Sequence, residues 1–118
     1  MQQRTKDQNL DILAREAVNN YKAYSYNDYT VTSSSTSIHS ILPTDNPRMM
    51  HVYVESDTAA PAIAIRYRVD GGNPVATGAG IPRVNGDEFF VYDFANIQNF
   101  RVIEEVANTT NLRITFYK

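Results

Sequence analysis

The chain has 118 residues, 42% of them apolar and 20% charged, enough for one compact domain that buries roughly two-thirds of its surface without staples. It has no cysteine, which excludes a disulfide scaffold, a thiolate metal site and a cysteine nucleophile. A formal net charge of -2 argues against nucleic-acid binding through overall positive charge. Apolar runs are too short for a transmembrane helix, and the start MQQRTKDQNL lacks the apolar stretch of an export signal. The expectation is a soluble single domain made in the cytoplasm.

The first two dozen residues carry the one helical pattern. Leu10, Leu13, Ala14, Ala17, Val18, Tyr21 and Tyr24 recur at spacings of three and four, so they share one stripe. Thr5 and Gln8 have the spacing of a capping box. Charge pairing within the segment is sparse, so the predicted helix needs a surface to pack on, in its own sheet or on another chain. Residues 1–28 are therefore read as a helical arm and 29–118 as the folded domain.

Beyond Tyr24 the pattern changes to strands. Tyr26, Tyr29, Thr30 and Val31 favour extended structure, and Ser33 to Ser35 a loop or weak edge. Pro43 and Asp45-Asn46-Pro47 mark a turn. Met50, Val52 and Val54 alternate with His51, Tyr53 and Glu55, and Ile63, Ile65, Tyr67 and Val69 alternate with Ala62, Ala64, Arg66 and Arg68, the period of half-buried strands. Asp70-Gly71-Gly72-Asn73-Pro74 is a strong turn. A glycine loop from Thr77 to Pro82 and the turn Asn85-Gly86-Asp87 follow. Further strands are expected over 88–94, 100–105 and 112–117, the last two joined by a turn at 108–111. One helix followed by short strands with regular turn clusters predicts a mainly β fold: a single antiparallel β-sandwich, jelly-roll-like or Greek-key.

Few residues suggest chemistry. His39 and His51 lie in different predicted strands with no third ligand at metal spacing. The neighbours Asp87-Glu88 and Glu104-Glu105 point to opposite faces of a strand, so neither pair can work across a cleft as glycosidase carboxylates do. The glycine loops are not followed by a helix start, which a phosphate loop requires. Arg66 and Arg68 share one strand face without aromatics beside them, since Tyr67 points inward; salt bridges across a subunit contact suit them better than nucleic acid. Eight tyrosines and no tryptophan suit either a small β core or an interface. No cofactor and no catalytic residue are expected. The partner-binding candidates are Leu10, Leu13, Ala17, Tyr21, Tyr24, Arg66 and Arg68.

From about Tyr29 to Lys118 an ordered series of features stands out. AIAIRYRVDGG leads into NPVATGAG, then Ile81-Pro82 and Asn85-Gly86-Asp87, the aromatic strand FFVYDF, NIQNFRVIEE and the closing LRITFYK. In this series the chain resembles small β-sandwich structural proteins of tailed-bacteriophage particles. The resemblance implies a capsid decoration (cement) protein that clamps neighbouring subunits of the assembled shell. Its partners would be the major capsid protein or other virion proteins, together with copies of itself, most simply three around a local axis, and neither nucleic acid nor membrane. Two alternatives stay open: a neck, tail or head-fibre-base protein, and a sugar-binding module. The latter requires exposed aromatics on one flat face, for which Tyr53 and Tyr92 are candidates.

Overall fold

The computed structural model describes residues 21–107 and 109–118. Eight strands follow one another: β1 (Ala23–Thr30), β2 (Thr36–Ser37), β3 (Met49–Ser56), β4 (Ile63–Arg68), β5 (Ile81–Val84), β6 (Glu88–Tyr92), β7 (Arg101–Glu104) and β8 (Thr110–Tyr117). A 3-10 turn at His39–Ile41 follows β2, and a five-residue helix, α1 (Phe94–Gln98), follows β6. The strands form two four-stranded sheets, β1-β8-β3-β6 and β2-β7-β4-β5, with every neighbouring pair antiparallel. The fold is thus mainly β, as the turn spacing predicts.

The helical stripe does not reach Tyr24. Ala23–Thr30 is a strand that runs along β8 from Ala23 opposite Tyr117 to Thr30 opposite Asn111. Tyrosine and threonine fit a pleated surface better than a helix, and the free flank of β8 satisfies the backbone groups of β1. Residues 23–28 therefore belong to the sheet and not to a helical arm. Leu10, Leu13, Ala17 and the predicted helix itself lie outside the described residues, as does Asn108 of the last predicted turn.

Period-two burial fixes which side of each strand faces in. Leu112, Ile114 and Phe116 of β8, Met50, Val52 and Val54 of β3, Phe89 and Val91 of β6, Ile65 and Tyr67 of β4 and Val102 of β7 all join one buried cluster. Ile38, Ile97 and Phe100 enter it from the connections. The two sheets are locked by aromatic rings: Tyr67 stacks on Phe89 at 4.4 Å, and Phe100 lies 5.4 Å from Tyr67 and 6.3 Å from Phe89. Removing such a ring costs about 3–5 kcal/mol, because the space left behind refills only partly.

Two departures from the expected strands have local causes. Ala64 and Ile65 are both buried because the pairing of β4 with β5 shifts register between Ile63 and Ile65, which turns Ala64 inward against expectation. The strand predicted over 88–94 stops at Tyr92, since Asp93 has φ +73 and turns the chain into α1. There Asn96 Nδ2 donates to the Tyr92 carbonyl at 3.0 Å, and the Asp93 N–H donates to the Arg48 carbonyl at 2.8 Å.

Candidate functional site

The outer faces of the two sheets are unlike. On the β2-β7-β4-β5 sheet, pairing places Arg68 opposite Arg101 and Arg66 opposite Ile103. Each of the three guanidinium groups is tied to the chain's own loops. Arg66 Nε donates to Glu105 Oε2 at 2.7 Å, and its Nη1 donates to the Gly78 carbonyl at 2.9 Å. Arg68 binds both oxygens of Asp70, at 3.0 and 2.5 Å. Arg101 donates to the side chain and carbonyl oxygens of Ser35, at 3.2 and 3.1 Å. Ser35 Oγ in turn donates to Asn73 Oδ1 at 3.1 Å, joining the serine loop to the β4–β5 loop. Arg66 and Arg68, offered by the sequence as partner contacts, thus work here as staples that hold loops against their own sheet.

Electrostatics follow these contacts. The Arg68 guanidinium, helped by the Gly72 N–H, holds the Asp70 carboxyl at about 2, and Asp70 raises Arg68 in return. Hydrogen bonding to Arg66 lowers Glu105, against the opposing effect of burial. Glu104, its neighbour, is buried on the opposite side of β7, the divergence expected of adjacent strand residues.

Tyr21 and Tyr24 lie at another place, the corner where residues 1–20 join the fold. Lys22 and Lys118 exchange backbone hydrogen bonds of 3.0 and 3.1 Å. Tyr24 Oη donates to the Asp45 carbonyl at 2.5 Å, Lys118 Nζ sits 5.1 Å from the Tyr24 ring and 2.7 Å from Asp45 Oδ2, and Arg48 lies 6.0 Å from the Tyr21 ring. Burial, then the charge of Asp45, raises the Tyr24 phenol, while Lys118 lowers the Asp45 carboxyl. The structure therefore separates the candidates: Tyr21 and Tyr24 at this corner, Arg66 and Arg68 beneath the loops.

The outer face of the β1-β8-β3-β6 sheet carries aromatic rings. One cross-strand row runs Tyr26, Thr115, His51, Phe90, and the next runs Asp28, Arg113, Tyr53, Glu88. Beyond the first row Tyr117, Met49 and Tyr92 align. Tyr26 is 57% exposed, and Phe90 and Tyr92 are 39% exposed each, well above the burial of a core ring. Tyr53 and Tyr92, the pair singled out for a sugar-binding face, do share one side. Tyr26, Phe90 and Arg113 escaped the sequence reading, although the alternation Tyr26, Asp28, Thr30 was the available signal for the first.

Around these rings the polar groups are held by one another. Arg113 binds Asp28 at 2.9 Å and Glu55 at 3.0 Å, and Tyr26 Oη donates to Asp28 Oδ1 at 2.6 Å. The Tyr26 bond lowers Asp28 most, with Arg113 next; the same bond raises the Tyr26 phenol, and the carboxylates of Glu55 and then Asp28 raise Arg113. His51 Nε2 lies 3.3 Å from Glu88 Oε1, and its ring is 5.0 Å from Phe90. Such an arrangement can stack on a ligand ring and hydrogen-bond its rim. Among the described residues no cluster of three His, Cys, Asp or Glu side chains could hold a metal, and no helix is long and apolar enough to cross a membrane. Comparison with protein-family models, with curated proteins and with solved structures gives no match to the chain.

Proposed function

We propose that the chain is a structural protein of a tailed-bacteriophage particle, a decoration protein that binds the assembled shell and stabilises it through contacts with neighbouring subunits. The observation that carries this reading is the strand order, β1-β8-β3-β6 facing β2-β7-β4-β5. That is the order of a jelly roll, an architecture that recurs in viral capsid domains and lectins. Together with the ordered motifs from AIAIRYRVDGG to LRITFYK, it favours a protein whose work is binding. Fold and pattern supply the reading, and the site chemistry described above is compatible with it.

Attachment is assigned to residues 1–20, whose apolar stripe through Leu10, Leu13 and Ala17 needs a surface. That segment is followed by Tyr21 and by Lys22, which exchanges two backbone hydrogen bonds with Lys118. Three copies around a local symmetry axis would engage adjacent shell subunits. Binding that exists only on the assembled lattice stabilises that lattice, and several weak contacts add up through avidity.

Quantitative mass spectrometry of purified particles tests the proposal. A ratio to the major shell subunit within a few-fold of one is the expected result. A ratio far below one assigns the chain to the neck, tail or a fibre base, and its absence from particles overturns the virion reading. A variant that lacks residues 1–20 but keeps Lys22 is expected to retain the folded domain and lose attachment.

A further inference from the structure

From the outer face of the β1-β8-β3-β6 sheet we infer a second binding activity, for a short neutral oligosaccharide lying across the strands. This inference stands on the folded domain and is independent of the particle reading. It starts from the asymmetry of the two faces. The Arg66, Arg68 and Arg101 staples anchor loops to one of them, whereas the other presents Tyr26, Phe90 and Tyr92 with 39–57% of their surface exposed. Exposed aromatic rings gathered on one sheet face and bordered by polar groups form a candidate ligand surface.

Size and charge choose the ligand. The row from Tyr26 through Thr115 and His51 to Phe90 crosses three strand spacings, about 14 Å, the reach of a short oligosaccharide. With its two flanking rows, one holding Asp28, Arg113, Tyr53 and Glu88 and the other Tyr117, the fully buried Met49 and Tyr92, the ground covers about 200 Å², against the ~800 Å² that each partner contributes to a stable protein interface. Charge narrows it further. Among the described residues of the first two rows, Asp28 and Glu88 carry negative charge against the cation Arg113, which Glu55 also binds, so anionic ligands such as nucleic acid or acidic glycans are disfavoured. Carboxylates and a guanidinium suit the hydroxyls of a neutral sugar, whose apolar ring face stacks on Tyr26 and Phe90. The bonds among Tyr26, Asp28, Arg113 and Glu55 hold those groups in place before the ligand arrives, which lowers the ordering cost of binding.

The test uses the full chain, without particles. Saturation-transfer NMR and calorimetry are run with cellohexaose, laminarihexaose, maltohexaose, chitohexaose and galactohexaose, with hexagalacturonate as the acidic comparator. The expected result is binding of at least one neutral hexamer and none of the acidic one. Tyr26→Ala and Phe90→Ala, each checked for native circular dichroism, are expected to weaken it about tenfold or more. Ile81→Ala, which trims an exposed side chain on the other sheet, leaves it unchanged. Should Tyr26→Ala lose its fold, Phe90→Ala and Tyr92→Ala carry the same test from β6. No response to any neutral hexamer at millimolar concentration overturns the inference, as does binding indifferent to these ring substitutions. Self-association abolished by Phe90→Ala, without a sugar response, assigns the face to a second copy and overturns it too. Particle attachment plays no part in this assay, so its outcome is separable from that of the virion reading.

Discussion

Replacing Glu105 by glutamine removes the charge that holds the long β4–β5 loop. Glu105 accepts a 2.7 Å bond from Arg66 Nε and a 3.0 Å bond from the Thr77 N–H, while Arg66 also donates to the Gly78 carbonyl at 2.9 Å. The two side chains are only 16% and 11% exposed, so water replaces little of what is lost. Breaking a buried ion pair costs about 3–5 kcal/mol and a hydrogen bond to a charged group about 1.5–3 kcal/mol. With the residual exposure and the oxygen that glutamine keeps, the expected loss is about 2–3 kcal/mol. For a chain of this size that lowers the melting temperature by about 8–12 °C.

The pH dependence gives the same substitution a second readout. Hydrogen bonds from Arg66 keep the folded Glu105 carboxyl below its ordinary value of 4.5, so the unfolded chain takes up the proton more readily. The stabilisation is therefore complete above about pH 4.5 and is lost as pH falls through the lower folded value. Thermal melts followed by circular dichroism at pH 7 and stepwise down to pH 3 should show a gap between parent and variant that closes in acid. A double-mutant cycle with Arg66→Met isolates the coupling between the pair. A melting shift under about 3 °C at pH 7, or a gap that acid does not close, refutes the assignment of Glu105 as the loop's anchor.

Two other results follow from local geometry. Gly80 has φ +128, and an added Cβ would meet Arg66 Cβ at 3.0 Å and Pro74 Cβ at 3.1 Å, whereas Gly86 has φ +90 with nothing within 4 Å. In urea titrations Gly86→Ala should cost about 1 kcal/mol of backbone strain and Gly80→Ala about 2–3 kcal/mol from strain and crowding together. By NMR titration the Asp70 carboxyl should show a midpoint at about 2 and rise toward its ordinary 3.8 in Arg68→Met; an unmoved midpoint would dissociate the two groups.

What the sequence made legible depends on how local the signal was. The alternation of Met50, Val52 and Val54, and of Ile65 and Tyr67 with Arg66 and Arg68, needs only neighbouring residues, and those faces match the structure. The inward turn of Ala64 depends on a register shift against β5, and the strand at Ala23–Thr30 depends on β8, some ninety positions away in the chain. Helical spacing could continue through Tyr21 and Tyr24 because nothing local opposed it. The candidate face was half visible for the same reason. Tyr53 and Tyr92 could be named from their own strands but their direction could not, and the row Tyr26, Thr115, His51, Phe90 exists only once four strands are paired. Nor does adjacency in sequence show that Arg66 and Arg68 are consumed by loops; that took the positions of Gly78, Asp70 and Glu105 in space.

The place of β8 governs when this fold can form. It lies between β1 and β3 and pairs with both along nearly its whole length, yet it follows every other strand in the chain. While the ribosome is still adding residues 110–117, β1 has no neighbour and one flank of β3 is bare. Sheet closure must therefore wait until β8 has been made, and pairings of such sequence separation are slow to find. Nascent chains should accordingly stay sensitive to protease until β8 clears the exit tunnel, and a stop codon before Leu112 would leave a chaperone client in place of a shortened sandwich.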